Sequence, residues 1–190
     1  DHLHDALTEE PGSHVALLMI GLNRSDRLAA LADDPLARQA LVETARRVRS
    51  VLRPGDLYCV CSINEIWVML DGLASSAVAT LAATALRDSL SLPVSLTGGD
   101  GLVHTTRIHP AIGFAWAPTG TGIDVRAMAY RANDARDGAS RSDPRILGAQ
   151  VGGDESVQLA QRRELETALR KALPSGELDV YLQPQVCLVS

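Results

Sequence analysis

The sequence contains few aromatic residues, few cysteines and no long apolar run. Aromatic residues make up 3% of its 190 residues, so a core has to be built from Leu, Val, Ile and Ala, which the 46% hydrophobic content allows. No apolar run approaches the roughly 20 residues of a membrane-spanning helix, and no signal peptide opens the chain. We therefore expect no membrane segment here and a cytoplasmic location, although a longer parent protein could carry membrane segments of its own.

Basic residues are also in the minority. Lys and Arg number 18 against 23 Asp and Glu, which gives a net charge of -5. Proteins that bind nucleic acids usually carry a basic surface, so we expect no nucleic-acid partner. Cys59, Cys61 and Cys187 show no C-x-x-C spacing, which argues against a zinc site. Cys59 and Cys61 alternate within an apolar run, and we expect them to be free thiols that lie in the core or face another subunit.

Apolar runs of strand length alternate with helical segments along the chain. In chain order, the predicted segments are a strand at 14–22, a helix at 33–52, a hairpin of 57–61 with 66–70, a helix at 75–90, a hairpin of 93–96 with 103–116, a helix at 124–136 and a short edge strand at 145–151. The first strand is apolar throughout, so it should be central and covered on both faces. This order predicts an α+β fold, with helices packed on a mainly antiparallel sheet.

Five short stretches occur in the order and at the spacing of the landmarks of one family. They are Ile20–Asp26 (IGLNRSD), Arg53–Asp56 (RPGD), Ser62–Ile66 (SINEI), Ala111–Ala115 (AIGFA) and Val125–Asn133 (VRAMAYRAN). With them the chain resembles the GGDEF family, the diguanylate cyclases, from about Leu3 to Ala149. The resemblance implies a nucleotidyl-cyclase-like fold and a role in bacterial cyclic di-GMP signalling. It also implies that Ser62–Ile66 occupies the place of the signature turn.

A second resemblance follows Ser156. The stretches Glu164–Arg170 (ELETALR), Gly176–Leu178 (GEL) and Tyr181–Val186 (YLQPQV) resemble the entry to an EAL domain, a domain of cyclic di-GMP phosphodiesterases. We therefore predict a GGDEF-like domain at 1–151 that lacks part of its N-terminus, a linking helix at 152–173, and the start of a truncated EAL domain at 174–190. The letters GGDE inside VGGDESV, 151–157, come after the last GGDEF landmark and are predicted to be a joint, not a catalytic turn.

The resemblance implies that the catalytic residues have been lost. Related active enzymes use Mg²⁺, which needs oxygen ligands such as carboxylates. The family's acidic metal ligands fall at Gly21, Asn23 and Asn64, its signature glycines at Ser62 and Ile63, its guanine-reading residues at Ala29 and Arg38, and a helix lysine at Asn133. Glu65 alone keeps its carboxylate at the turn. We therefore expect a degenerate site with no intact catalytic residue, no metal and no cofactor.

Arg53 and Asp56 match the family's RxxD motif, which the resemblance implies is a product-binding inhibitory site. An arginine side chain offers a forked donor that suits phosphate, so cyclic di-GMP is a candidate ligand. In the alternative interpretation, Arg53 favours the helix dipole and Pro-Gly-Asp makes a good turn.

Three functions remain open from the sequence. The first is an inactive GGDEF-type domain that regulates or scaffolds an attached EAL phosphodiesterase. The second is a cyclic di-GMP receptor that uses Arg53 and Asp56, and the third is an active diguanylate cyclase with unusual ligands. A homodimer formed through Ala- and Leu-rich helix faces is a further possibility.

Overall fold

The computed structural model describes residues 12–23, 35–140 and 146–151, all within the first of two units into which the chain divides after Gly153. Its elements, in chain order, are β1 His14–Asn23, α1 Pro35–Val51, β2 Leu57–Ser62, β3 Glu65–Leu73, α2 Ser76–Ser91, β4 Val94–Thr97, β5 Val103–Thr106, β6 His109–Pro118, α3 Val125–Ala139 and β7 Ile146–Gln150. No helix in this part of the chain is long and apolar enough to cross a membrane.

The main sheet has five strands in the order β2-β3-β1-β6-β7. Every neighbouring pair is antiparallel except β6 and β7, which run parallel. Strands β4 and β5 form a separate antiparallel hairpin. The predicted α+β fold, with a mainly antiparallel sheet, is therefore confirmed.

Helices cover the two faces of the main sheet unequally. Alternate residues of β1 point to opposite faces, and the strand is buried on both, as its continuous apolar run predicted. On one face, helices α1 and α2 enclose the larger core, which includes Leu18, Ile20, Ile66 and Leu86. On the other face, α3 packs over β6, β7 and β1 and buries Met128.

The terminal residues of α3 explain where this helix begins. Asp124 precedes the helix in an extended conformation, and its side chain accepts a hydrogen bond from the backbone N–H of Arg126. This contact satisfies one of the N–H groups that a helix start leaves without an internal partner. Asp124 was predicted to open this helix, and the structure confirms it.

One predicted strand is wrong. The sequence pattern predicts a single hairpin arm at 103–116, but the structure divides this segment at Arg107 and Ile108 into β5 and β6. Strand β5 pairs with β4 in the small hairpin, whereas β6 crosses to the main sheet and pairs with β1. Both halves are extended, so their sequence pattern could not show that they belong to different sheets.

The expectation that Cys59 and Cys61 lie in the core is also wrong, because both residues are exposed. The alternative, that they face another subunit, stays a prediction. Both residues lie on β2, which is an edge strand of the main sheet. Cys59 pairs with Trp67, whose side chain packs against the core on the face that α3 covers, whereas the strand register shifts at Cys61. Helix α3 packs over strands nearer the opposite edge of the sheet. Cys187 lies outside the described residues, as do the predicted linking helix and EAL start, 152–173 and 174–190.

Candidate functional site

The turn between β2 and β3 is tied to the end of β1. Ser62 ends β2 and Glu65 begins β3, so Ile63 and Asn64 form the turn itself. The backbone N–H of Leu22 donates to the carbonyl oxygen of Asn64 at 2.8 Å. The strand register places Gly21 opposite Glu65. The structure therefore brings Gly21, Asn64 and Glu65 together.

Three other residues that match the family's turn and metal-ligand positions lie in the core, at the end of a strand and at the turn. Ile66 is fully buried in the larger core. Asn23 is the last residue of β1 and pairs with His109 of β6. The hydroxyl of Ser62 accepts a hydrogen bond from the backbone N–H of Asn64 at 3.2 Å, so it shapes the turn.

The carboxylate of Glu65 has two side-chain partners. Arg136, near the end of α3, forms an ion pair with it through Nη1, and the indole Nε1 of Trp67 donates to its other oxygen. The side chains of Arg136 and Glu65 are 19% and 27% exposed, so the pair is shielded from much of the solvent. No local sequence pattern points to Arg136, which lies 71 positions from Glu65.

Two glycines allow Arg136 to reach the turn. A Cβ atom at Gly113 of β6 would lie 2.5 Å from the Cα of Arg136 and closer still to backbone atoms of Arg136 and Ala132, so α3 rests directly on β6 there. A Cβ atom at Gly21 would lie 3.2 Å from the Cδ of Arg136, so the arginine side chain crosses β1 above Gly21. Since β1 lies between β6 and β3 in the sheet, this path leads from α3 to Glu65.

The residues at the turn do not fit the Mg²⁺ ions of related active enzymes. Gly21 offers no side-chain oxygen, and Asn64 offers a neutral amide whose buried Oδ1 has no hydrogen-bond partner among the residues that the structure describes. Both oxygens of Glu65 are already bonded to donors. Mg²⁺ prefers six oxygen ligands and usually one or two carboxylates, whereas here a guanidinium stands beside the single carboxylate. Among the described residues, no group of three or more His, Cys, Asp or Glu side chains could hold a metal ion.

Arg53 and Asp56 lie together just beyond the C-terminus of α1. The guanidinium donates to the Asp56 carboxylate through Nη2 at 2.6 Å and Nε at 3.1 Å, and also to the carbonyl oxygen of Asp71 at 2.7 Å. Hydrogen bonding to Asp56 raises the pKa of Arg53 above its usual value. The two residues flank a pocket of about 340 Å³, whose lining also includes Arg49, Leu52, Pro54 and Tyr58.

Arg38, at the position of a guanine-reading aspartate, is exposed on α1. It lines a groove of about 670 Å³ between α1 and β4. Beside it, the Gln39 amide donates to the carbonyl oxygen of Thr97 at 2.9 Å and accepts from the backbone N–H of Thr97 at 3.0 Å. These bonds fasten the β4–β5 hairpin to α1. Asn133 is half-buried on α3, and Ala29 lies outside the described residues.

Comparison with known proteins identifies relatives of this fold. No protein-family model matches the chain. The GGDEF domain of YfiN (TpbB) from Pseudomonas aeruginosa is 29% identical, with a TM-score of 0.64 over 80% of this chain and 92% of that one. The GGDEF domain of DgcB from Caulobacter crescentus, solved in complex with c-di-GMP, is 19% identical, with a TM-score of 0.65 over 78% of this chain and 86% of that one.

A curated relative matches over most of the sequence. The uncharacterized protein y4lL of Sinorhizobium fredii is 26% identical over 178 residues, which cover 92% of this chain. The chain spans about a fifth of that protein, since the match covers 20% of its length. With the sheet order, the turn and these structural neighbours taken together, the chain has the nucleotidyl-cyclase-like fold of GGDEF domains.

Proposed function

We propose that this chain is a catalytically inactive GGDEF-type domain of cyclic di-GMP signalling that regulates or scaffolds an attached EAL phosphodiesterase domain. The observation that supports inactivity most directly is the engagement of Glu65 by Arg136 and Trp67. Joining two GTP molecules requires metal ions that offset phosphate charge and activate a hydroxyl group. Here the one carboxylate at the turn is neutralised by a side chain of the protein itself.

Two measurements with GTP test the loss of activity. With Mg²⁺ or Mn²⁺ present, we expect no cyclic di-GMP from the purified chain by mass spectrometry, and no metal-dependent GTP binding by calorimetry. Glu65→Gln is the matched control, because it removes the remaining carboxylate and should change neither result. Product formation that disappears in Glu65→Gln would show that the turn is catalytic and would refute this part of the proposal.

The regulatory role concerns the longer parent protein. We expect its rate of cyclic di-GMP hydrolysis to change when residues 12–151 are removed, because a domain without chemistry of its own acts through its neighbour. A hydrolysis rate equal to that of the intact parent would contradict the regulatory role.

A cyclic di-GMP receptor is the second candidate, and the pocket beside Arg53 and Asp56 supports it. Arg49 and Arg53 provide positive charge there, and Tyr58 provides an aromatic ring on which a base could stack. A phosphate would have to compete with Asp56 for the Arg53 guanidinium. This competition is feasible because the Arg53 side chain is 51% exposed, although that of Asp56 is only 3% exposed.

Calorimetry with cyclic di-GMP tests this candidate. If the pocket is a receptor site, the unsubstituted chain binds cyclic di-GMP and Arg53→Ala abolishes this binding. Arg46→Ala is the matched control, because it removes the same charge from an α1 side chain that is 68% exposed and bonded to Glu43. Absence of cyclic di-GMP binding by the unsubstituted chain would eliminate the receptor function. Unchanged binding by Arg53→Ala would show that the ligand binds outside this pocket.

A further inference from the structure

We propose that Arg136 is a built-in cation of the degenerate site, taking over the charge-neutralising role of a metal, and that Gly21 is the residue that admits it. The proposal rests on the proposed function in one respect, namely that the turn has no metal-dependent chemistry. It adds that the absence of a side chain at position 21 is a packing requirement as well as a lost metal ligand.

The first support is the row of residues across the sheet. Gly21 of β1 pairs with Glu65 of β3 on one side and with Ala111 of β6 on the other. These three residues lie side by side, and α3 packs over the β6 part of this face. A side chain that leaves α3 for Glu65 therefore has to pass over β1 at Gly21.

The second support is the clearance above Gly21. A Cβ atom there would lie 3.2 Å from Cδ and 3.7 Å from Cγ of Arg136, which is tight at the closer atom. A β-branched side chain would extend farther into the same space. Because α3 rests directly on β6 at Gly113, the side chain of Arg136 starts close to the sheet surface and has to pass low over Gly21.

The third support is charge. The side chain of Glu65 is 27% exposed with Arg136 in place. Without that cation, the Trp67 indole would be the remaining partner of the carboxylate in the described part of the chain. A partly buried charge without a counter-ion is unfavourable. Arg136 also contacts Asp137, but that side chain is 56% exposed and such a surface pair contributes little.

A double-mutant cycle tests the steric relation. Valine suits a strand better than glycine does, so Gly21→Val should be harmful only because of Arg136. We expect Gly21→Val to lower the midpoint of thermal unfolding by roughly 4–8 °C. In the Arg136→Ala background, the same substitution should leave the midpoint unchanged or raise it. Should Gly21→Val fail to fold, Gly21→Ala provides a milder version of the same cycle.

Two further variants distinguish the steric effect of the Arg136 side chain from the effect of its charge. Arg136→Met retains an unbranched apolar stem without the guanidinium, so the penalty of Gly21→Val should persist in that background. By contrast, the effect of Glu65→Gln on the midpoint of thermal unfolding should be smaller in the Arg136→Met background, because the ion pair is already absent there. The matched control is Arg126→Ala, which removes an exposed arginine from the same helix and should not relieve Gly21→Val.

The proposal is overturned if Gly21→Val lowers the midpoint equally with and without Arg136, or if Arg126→Ala rescues it as well as Arg136→Ala does. These experiments contain no GTP or metal, so their failure would leave the assignment of catalytic inactivity standing. Conversely, detection of cyclase activity would refute that assignment without altering the measured coupling between positions 21 and 136.

Discussion

Gly113 provides a direct test of the close contact between α3 and the sheet. A Cβ atom at this position would lie 2.5 Å from the Cα of Arg136 and closer still to the Arg136 N and the Ala132 carbonyl oxygen. All three are backbone atoms, so no side-chain rotation can relieve the overlap. Gly113→Ala should therefore push α3 away from β6 by about 1 Å or more to restore ordinary contact distances.

The cost follows from what α3 buries. Ala127, Met128 and Ala132 are at most 2% exposed against the sheet. Full burial of a methionine side chain contributes about 1.5–3 kcal/mol, and each methyl group about 0.8 kcal/mol. Displacing the helix forfeits part of these contributions and adds strain. We therefore expect Gly113→Ala to lower the free energy of unfolding by about 2–4 kcal/mol.

Urea unfolding followed by tryptophan fluorescence measures this effect, because both tryptophans of the sequence, Trp67 and Trp116, lie in the main sheet. Gly138→Ala is the matched control on α3. Its Cβ atom would meet the end of the flexible Leu147 side chain, and alanine is the better helix former. We expect the free energy of unfolding of this control to lie within about 1 kcal/mol of that of the unsubstituted chain. A free energy of unfolding for Gly113→Ala within about 0.5 kcal/mol of that of the unsubstituted chain would refute the close contact between α3 and β6.

Two further predictions concern the surface. Hydrogen bonds from Arg46 and Arg47 lower the pKa of Glu43 from 4.5 to about 2, so its contribution to stability is complete above about pH 4.5 and is lost as the pH falls through about 2. Glu43→Gln should lower the free energy of unfolding by less than about 1 kcal/mol at neutral pH. Its difference from the unsubstituted chain in urea unfolding should shrink as the pH falls towards about 2 and vanish below it. A difference that stays constant would contradict the assignment. Cys59 and Cys61 should both be alkylated in the folded protein, as peptide mass spectrometry can show. Partial desolvation of its thiol and the neighbouring Cys59 raise the pKa of Cys61 to about 11. Its alkylation should therefore accelerate from pH 8 to pH 10, since the thiolate is the reactive form. Protection of both thiols until urea is added would show that β2 is covered.

The order of strands and helices could be read from the sequence because each element carries a local signal. The apolar run of β1 predicted a central strand, and the Pro-Gly turn after α1 and the capping Asp124 marked helix ends that the structure confirms. Turn residues and apolar periodicity act within a few positions, so one sequence displays them directly.

The features that were missed depend on distant parts of the chain. Alternation placed Cys59 and Cys61 on one face, but whether a helix covers that face depends on where α3 packs. The ion pair between Glu65 and Arg136 joins β3 to α3 and has no local signal. Glycines at positions 21 and 113, inside strongly apolar strands, were the available hint, because glycine within a strand often marks a close approach.

The contact between Gly21 and Arg136 also bears on how such a domain could change over evolutionary time. An acidic residue gained first at position 21 would have its Cβ against the arginine side chain and its charge near Glu65. Loss of Arg136 first would leave Glu65 without its counter-ion. We expect either first step to lower stability before any catalytic benefit could appear. If a metal site was lost and an arginine took its place, as we propose, this contact would make the loss difficult to reverse one substitution at a time.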